Sequence, residues 1–247
     1  MKTTAQGLVI WETRTGEADR VITILTADGV ITAYAKGSLR PKNKLTSPTA
    51  MLSLSDFELF TGKNMFTVDD ALVKLRFVRL MADATAYALA VYFCELMKLL
   101  APIEDDAREY LSLLLNALYL LDEGKKPRWL IKCVLELRLM ALAGYAPQAD
   151  VCAVCAGAVE DGFFDAENGV LLCADCARRA ARPVNCGAAM SAALRHILYA
   201  PAKKAFAFDL AAGVRTSFAA LCEDYVQRRI ERRLPTLDFY VALAQEK

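Results

Sequence analysis

The sequence predicts an α+β protein in more than one part: a small N-terminal β-barrel, then a helical domain carrying a four-cysteine hairpin. Three observations lead there. Turn residues punctuate short runs of β-formers over residues 1–79. The hydrophobic period then lengthens to that of helices over residues 80–247, and two cysteine pairs fall in an insertion at about 150–180.

The strand-like runs are Thr3–Thr13, Arg20–Ala27, Val30–Lys36, Ala50–Phe60 and Met65–Lys74. Asp28-Gly29 joins the second and third as a hairpin turn, and Gly62-Lys63-Asn64 joins the last two. Short, evenly punctuated strands of this number suit a small barrel, of which the OB-fold is the commonest kind. An SH3-like barrel fits the same pattern. Beyond it, Arg79–Ala101, Glu104–Glu123 and Arg128–Ala143 are Leu/Ala-rich and separated by Pro102 and by Gly124 to Pro127. Arg128–Ala143 is apolar nearly all round, as expected of a central, buried helix. Ala188–Tyr199 and Val214–Arg233 complete the helical set.

The cysteine pairs are Cys152/Cys155 and Cys173/Cys176, with 17 residues between them. Two residues inside each pair let both sulfurs of a turn face one centre, and a loop of about 15–20 residues lets a hairpin join two such turns. The filling suits that hairpin: Gly162-Phe163-Phe164 extended, Glu167-Asn168-Gly169 turning, Val170-Leu171-Leu172 returning. The expectation is one structural Zn²⁺ per chain, closed by four thiolates with no position left for water. A redox CxxC usually stands alone at the start of a helix, which argues against that rival. Cys94, Cys133, Cys186 and Cys222 sit in apolar or helical contexts and read as buried thiols. His196, the one histidine, belongs to neither an HxE nor an HExxH motif and reads as half-buried on a helix.

At 55% hydrophobic residues the chain can bury a sizeable core, which excludes a disordered protein. The longest charge-free runs, Tyr110–Leu121 and Pro183–Leu194, are 12 residues, short of a membrane span. The N-terminus lacks an apolar leader core and a cleavage site, and reduced thiols without an export signal point to the cytoplasm. Net charge is only +1, so bulk charge makes no case for nucleic acid. Its distribution says more: residues 1–80 carry 11 basic and 8 acidic side chains, and residues 177–208 carry six cations and no acid.

Lys36, Arg40, Lys42 and Lys44 lie within nine residues, without an acid, on a loop marked by Gly37, Ser38 and Pro41. A basic loop on a small barrel suits a sugar-phosphate backbone, whose counterions Lys and Arg release. Arg14, Arg20 and Lys63, at strand turns, extend the track. A merely solvated loop fits the same residues. Tyr34, Phe57, Phe60 and Phe66 are candidates for base stacking or for the core. Asp69-Asp70 and Glu104-Asp105-Asp106 suit solvated or helix-capping roles better than Mg²⁺ binding. P-loop, GxSxG and dinucleotide fingerprints are absent, so ATP-driven and hydrolase chemistry lack support.

Two stretches carry a family resemblance. Gly16-Glu17-Ala18-Asp19-Arg20, followed after Val21 by ITILTADGVITAYAKGSLRPKNK, and Leu137-Arg138-Leu139 with Gly144-Tyr145-Ala146-Pro147 ahead of Cys152-Ala-Val-Cys155, resemble the RecO family of recombination mediator and DNA repair proteins. The order of barrel, helices, cysteine hairpin and further helices is similar over essentially the whole chain. Zinc is not universal in that family. The resemblance implies an OB-fold, a helical C-terminal domain with a zinc insertion, and no catalysis. It also implies binding of single- and double-stranded DNA, strand annealing, recombinase loading onto DNA coated by single-strand-binding protein, action with RecR, and a cytoplasmic, nucleoid-associated location. A further implication is capture of the acidic, apolar-ended tail of single-strand-binding protein. Leu194, Leu198, Arg195, Lys203 and Lys204 offer apolar and cationic groups for it, though the apolar positions equally suit the core. A metal-dependent nuclease using the Asp/Glu clusters, or a zinc-bearing nucleic-acid-binding adaptor, is the competing reading.

Overall fold

The computed structural model describes residues 1–63 and 65–245. Compactness divides them into one unit of Met1–Gly124 with Leu234–Lys247 and a second of Lys125–Arg233. Strand gives way to helix at residues 77–78, two residues short of the boundary expected after residue 79. The compact units run across it, because helices after residue 79 pack on the strands before it.

In the first unit, β1 (Lys2–Thr15), β2 (Asp19–Thr26), β3 (Gly29–Ala35), β4 (Ser53–Thr61) and β5 (Phe66–Arg76) form one sheet. Its order β1-β2-β3-β5-β4 returns on itself through the pairing of β1 with β4. All pairs are antiparallel except β3 with β5, which meet in parallel at Ala33/Phe66 and Tyr34/Thr67. Long β1 serves two neighbours, Lys2–Leu8 facing β4 and Gly7–Thr15 facing β2, with a bulge at Ile10. Only glycine fits where the two pairings overlap: a Cβ on Gly7 would lie 2.5 Å from Ile24 Cγ2 and 2.8 Å from the Leu25 carbonyl oxygen. Asn64, the third residue of the expected turn before β5, lies outside the described residues.

Strand alternation sends Val9, Ile22, Ile24, Ala33, Phe57, Leu59 and Val68 to the interior, where Leu45 from the long β3–β4 connection joins them. Leu8, Ile10 and Leu25 are also fully buried. Their side of the sheet is covered by α2 (Ala84–Leu100), which packs on β1 and β2, and α3 (Arg108–Glu123), which packs on β2. The helix expected over 79–101 is therefore two, α1 (Val78–Ala82) and α2. Asp83 breaks it: its backbone is extended and its carboxylate caps α2 by accepting from Ala86 N–H at 2.9 Å. The helix expected from Glu104 starts at Arg108, the acids before it remaining in the loop, and Gly124 ends it in the left-handed region at φ 63°. A further helix, α8 (Pro235–Gln245), packs on α2.

The second unit centres on α4 (Arg128–Leu142), ten of whose fifteen residues are buried. Around it lie α6 (Ala188–Tyr199) and α7 (Ala212–Ile230). The cysteine hairpin β6 (Gly162–Asp165) and β7 (Val170–Cys173), with short α5 (Ala174–Arg179), fills the interval between α4 and α6 in sequence. Lys132 on α4 is buried with Glu136 at 2.7 Å and Glu223 of α7 at 2.9 Å. Burial alone would lower the lysine's pKa, but the two carboxylates outweigh it and hold the pKa above its usual value. Among the described residues no helix is long and apolar enough to cross a membrane.

Candidate metal centre and nucleic-acid interface

The chain entering the hairpin is bound to β7 as a third partner. Gln148 N–H donates to Gly169 O at 2.8 Å, Leu171 N–H to Gln148 O at 3.1 Å, and Ala153 N–H to Leu171 O at 2.9 Å. That lays Cys152 beside Cys173, whose N–H points at the Cys152 sulfur at 3.3 Å. A turn closed by Ala156 N–H to Cys152 O at 2.8 Å, with Ala156 at φ 56°, swings Cys155 back to the same centre. Cys173 ends β7 and Cys176 lies one turn into α5. Gly162 is required at the other edge, since a Cβ would lie 2.0 Å from Leu172 O. The hairpin is held to its own unit by Phe164 packed edge-on to Tyr225, ring centroids 5.6 Å apart, and by the Tyr225 hydroxyl donating to Tyr145 O at 2.6 Å.

All four sulfurs lie within 4.8 Å of one another, so they could hold one metal ion. Burial opposes ionisation of Cys152, but the N–H groups of Cys173, Cys155 and Val154 overcome it and bring its pKa to about 6. Cys176 moves the other way, to about 12, through its contact with Cys173 and then through burial. Thiolates this close repel, and a cation among them removes the conflict. Two of the ligands, Cys152 and Cys176, are buried and Cys155 is exposed. His196 takes no part: it is half-buried, its Nε2 lies 2.8 Å from Lys204 O, and its ring packs on Phe208.

In the first unit the basic loop leaves β3 and is pinned at several points. Leu45 is in the core. Leu39 N–H donates to Ala18 O at 2.8 Å. Asp19 clamps the loop's root, accepting from the Tyr34 hydroxyl and from Gly37 N–H. Those two donors, the hydroxyl foremost, hold its carboxyl below the usual carboxylate range. Between the pins, Lys36, Arg40, Lys42 and Lys44 are exposed. A cleft of about 430 Å³ opens between loop and sheet, lined by Lys36, Arg40, Lys44, Leu45, Val68 and Asp69 among others. Lys42, Arg14 and Lys63 are exposed but do not line it. Arg20 does not belong to this surface. It is buried, its Nη1 donating to Thr46 O at 2.9 Å and Thr49 Oγ1 at 3.1 Å, with Glu12 at 3.4 Å. A strand end next to a turn exposes a residue only if the following loop does not fold back over it, and here it does. Of the aromatic candidates, Phe57 is core, Tyr34 belongs to the clamp, Phe66 is half-buried, and Phe60 is exposed.

Three of the clustered acids are held by cations. Asp69 pairs with Lys2 at 3.1 Å, Asp70 with Lys44 at 3.0 Å, and Asp106 chelates Arg108 at 2.8 and 2.9 Å. Among the described residues, the four cysteines are the one group of three or more side chains placed to ligate a metal.

In the second unit Leu194 is fully buried, as is Ile197, so the apolar face of α6 is part of the core and Leu194 cannot line an open docking groove. Helical spacing shows which face is apolar; it does not show whether that face is covered. Leu198 is half-buried, Arg195 donates to Val159 O at 2.9 Å, and Lys203 and Lys204 are exposed on a single 3-10 turn, Ala202–Lys204. Sequence reading missed the Asp19–Tyr34 clamp, although Asp19 stands in the Gly16–Arg20 segment that carries the resemblance.

Comparison with known proteins agrees along the chain. Residues 1–76 match the family model described as Recombination protein O N terminal, and residues 81–238 match Recombination protein O C terminal. A protein of Acetivibrio thermocellus named DNA repair protein RecO is 32% identical over 243 residues, covering 98% of this chain and 97% of the relative. A relative of the same name from Symbiobacterium thermophilum is 26% identical over 94% of both chains, and one from an Anaeromyxobacter species is 32% identical over 92% of both. With both halves of the family matched in order and relatives aligned nearly end to end, the chain belongs to the RecO family.

Proposed function

We propose that the protein is a non-enzymatic, DNA-binding recombination mediator in DNA repair. It anneals complementary strands and helps load a recombinase onto DNA coated by single-strand-binding protein. The observation that carries this reading is the pinned basic loop. Among the described residues Lys36, Arg40 and Lys42 are exposed and make no ion pair, so their charge is directed at solvent. Such groups suit phosphate contacts, which carry no base identity and serve single and double strands alike. Arg14, Lys44 and Lys63 extend the surface. The sheet, with its order β1-β2-β3-β5-β4 and a parallel β3–β5 contact, supports an OB-fold barrel in residues 1–79, with the helical part in 80–247.

The ion at the cysteines is assigned as one structural Zn²⁺. Thiolates about 2.3 Å from zinc lie about 3.8 Å from one another, and the Cys155 and Cys173 sulfurs are 3.8 Å apart. Four sulfurs leave no position for a reacting water, which favours a structural over a catalytic role. RecR is the assigned partner, along with the tail of single-strand-binding protein. The latter is placed at Lys203, Lys204, Arg195 and the exposed side of Leu198, with Leu194 behind them in the core. The site of action is the cytoplasm, at the nucleoid.

The test is annealing of two labelled complementary strands, with and without single-strand-binding protein, in Mg²⁺ or Mn²⁺. Duplex formation without strand loss is the expected result. Strand cleavage would replace this reading with that of a nuclease.

A further inference from the structure

Lys44 differs from the rest of its loop. Among the described residues Lys36, Arg40 and Lys42 are exposed and make no ion pair, although Asp19 and Asp69 lie in their neighbourhood, whereas Lys44 Nζ lies 3.0 Å from Asp70 Oδ1. The carboxylate is there because β5 is irregular. Glu58 pairs with Asp70 and the next residue, Leu59, pairs with Val68, so Asp69 is an extra residue in the strand. A bulge breaks the alternation of side chains. Val68 is in the core, while Asp69 and Asp70 are both about half exposed, with side-chain exposures of 40% and 49%. Asp69 enters the lining of the cleft and Asp70 meets one of its three lining cations, Lys44. Lys44, and then the Ala71 N–H, hold Asp70 below the usual carboxylate range, so it is anionic wherever DNA is.

The pair does little for the fold. Lys44 is exposed and Asp70 about half exposed, and ion pairs open to solvent contribute little to stability. Its effect falls on whatever anion approaches the cleft. We propose that Asp70 is a built-in competitor for phosphate at Lys44, so that this end of the cleft takes a phosphodiester only by exchanging one anion for another. This rests on the DNA-binding reading of the loop and refines it. Lys36 and Arg40 in the cleft, with exposed Lys42 on the same loop, attract the backbone at once, and Lys44 engages when a phosphate displaces the carboxylate. A protein that must hold a strand and then release it to a complement gains from such exchange, because the departing phosphate is replaced as it leaves.

The test is a cycle of Asp70→Asn, Lys44→Ala and the double variant, with binding of a fluorescently labelled oligothymidylate read by anisotropy at low salt. Asp70→Asn is expected to tighten binding by about two- to fivefold, the range of an exposed ion pair. That gain should vanish in the Lys44→Ala background, and Lys44→Ala should cost more in the Asp70→Asn background than in the wild type. Absence of a gain from Asp70→Asn, or an equal gain in both backgrounds, overturns the proposal; the latter would show only a general effect of charge. Should the wild type and every variant fail to bind, the DNA-binding reading of the loop falls and takes this inference with it. Asp70→Ser, with a thermal melt, guards against misfolding of the Asp70→Asn variant.

Discussion

The N-terminal sheet and the cysteine hairpin are both small β structures, held by opposite means. The sheet has five strands of 7 to 14 residues around a continuous apolar interior. The hairpin has two strands of four residues each and buries chiefly Phe164 and Leu171. Two such strands are marginal alone in water. The sheet draws on many side chains at about 1.5–3 kcal/mol each, whereas the hairpin has a few contacts, such as Phe164 on Tyr225, and a metal held by its four cysteines would supply most of the rest at one centre. A distributed core tolerates the loss of any one contact in part. A single centre fails as a whole.

The sharpest way to break that contrast is to deny the four cysteines a metal. Chelation, or Cys176→Ser, is expected to abolish amide-exchange protection across 152–176 while leaving the sheet protected, since binding energy at such sites is on the order of 10 kcal/mol. Equal loss in both regions would erase the distinction. The converse variant is Phe57→Ala, at a position 1% exposed in the sheet interior. It should cost about 3–5 kcal/mol in a denaturant melt, with metal content by atomic emission unchanged. Lys132→Met tests a third mode of support in the second unit. It leaves fully buried Glu136 without its lysine, at a cost of about 3–5 kcal/mol. Recovery on adding Glu136→Gln would identify uncompensated charge, rather than lost packing, as the cause.

The smallest expected effect concerns the loop clamp. Asp19→Asn should weaken oligonucleotide binding several-fold through loss of loop order, with little change in melting temperature. Its linkage sign is that of a depressed carboxyl: the stabilising contribution is present above the usual Asp pKa of about 3.9 and fades as pH falls through the lowered folded value. Loop order in the wild type, followed by exchange at Gly37, should therefore be constant from neutral pH down to about pH 4. A change near pH 6 would mean that some other group governs the loop.

Much of the architecture could be read from residue type and spacing. Ala188–Tyr199 is the helix that the apolar period outlined, and the Asp28-Gly29 turn joins the strands it was expected to join. The four cysteines converge as their spacing implied. The misses share a physical origin, because sequence shows what a residue can do and tertiary context decides which option it takes. Asp83 could sit in a helix and instead caps one. Arg20 could reach solvent and is covered by the loop that follows. Leu194 belongs to an apolar face that is already occupied. Asp70 reads as a solvated acid until pairing across β4 and β5 brings it to Lys44. The helix over 235–245 was not anticipated, although Pro235 stands at its first turn, where proline is favoured.

The placement of α8 bears on how the protein is made. Its partner is α2, and Thr236 donates to the Glu95 carboxylate, so the unit that begins with β1 is finished by a segment after residue 233. During synthesis the strands can close and α1 to α3 can pack while α2 still shows a bare flank to solvent. That flank stays uncovered through translation of residues 125–233, on the order of ten seconds at bacterial elongation rates. Ribosome-bound intermediates of this chain should therefore engage holdase chaperones through α2 and release them when α8 emerges. A nonsense mutation late in the reading frame would then be felt first in the half of the molecule translated earliest.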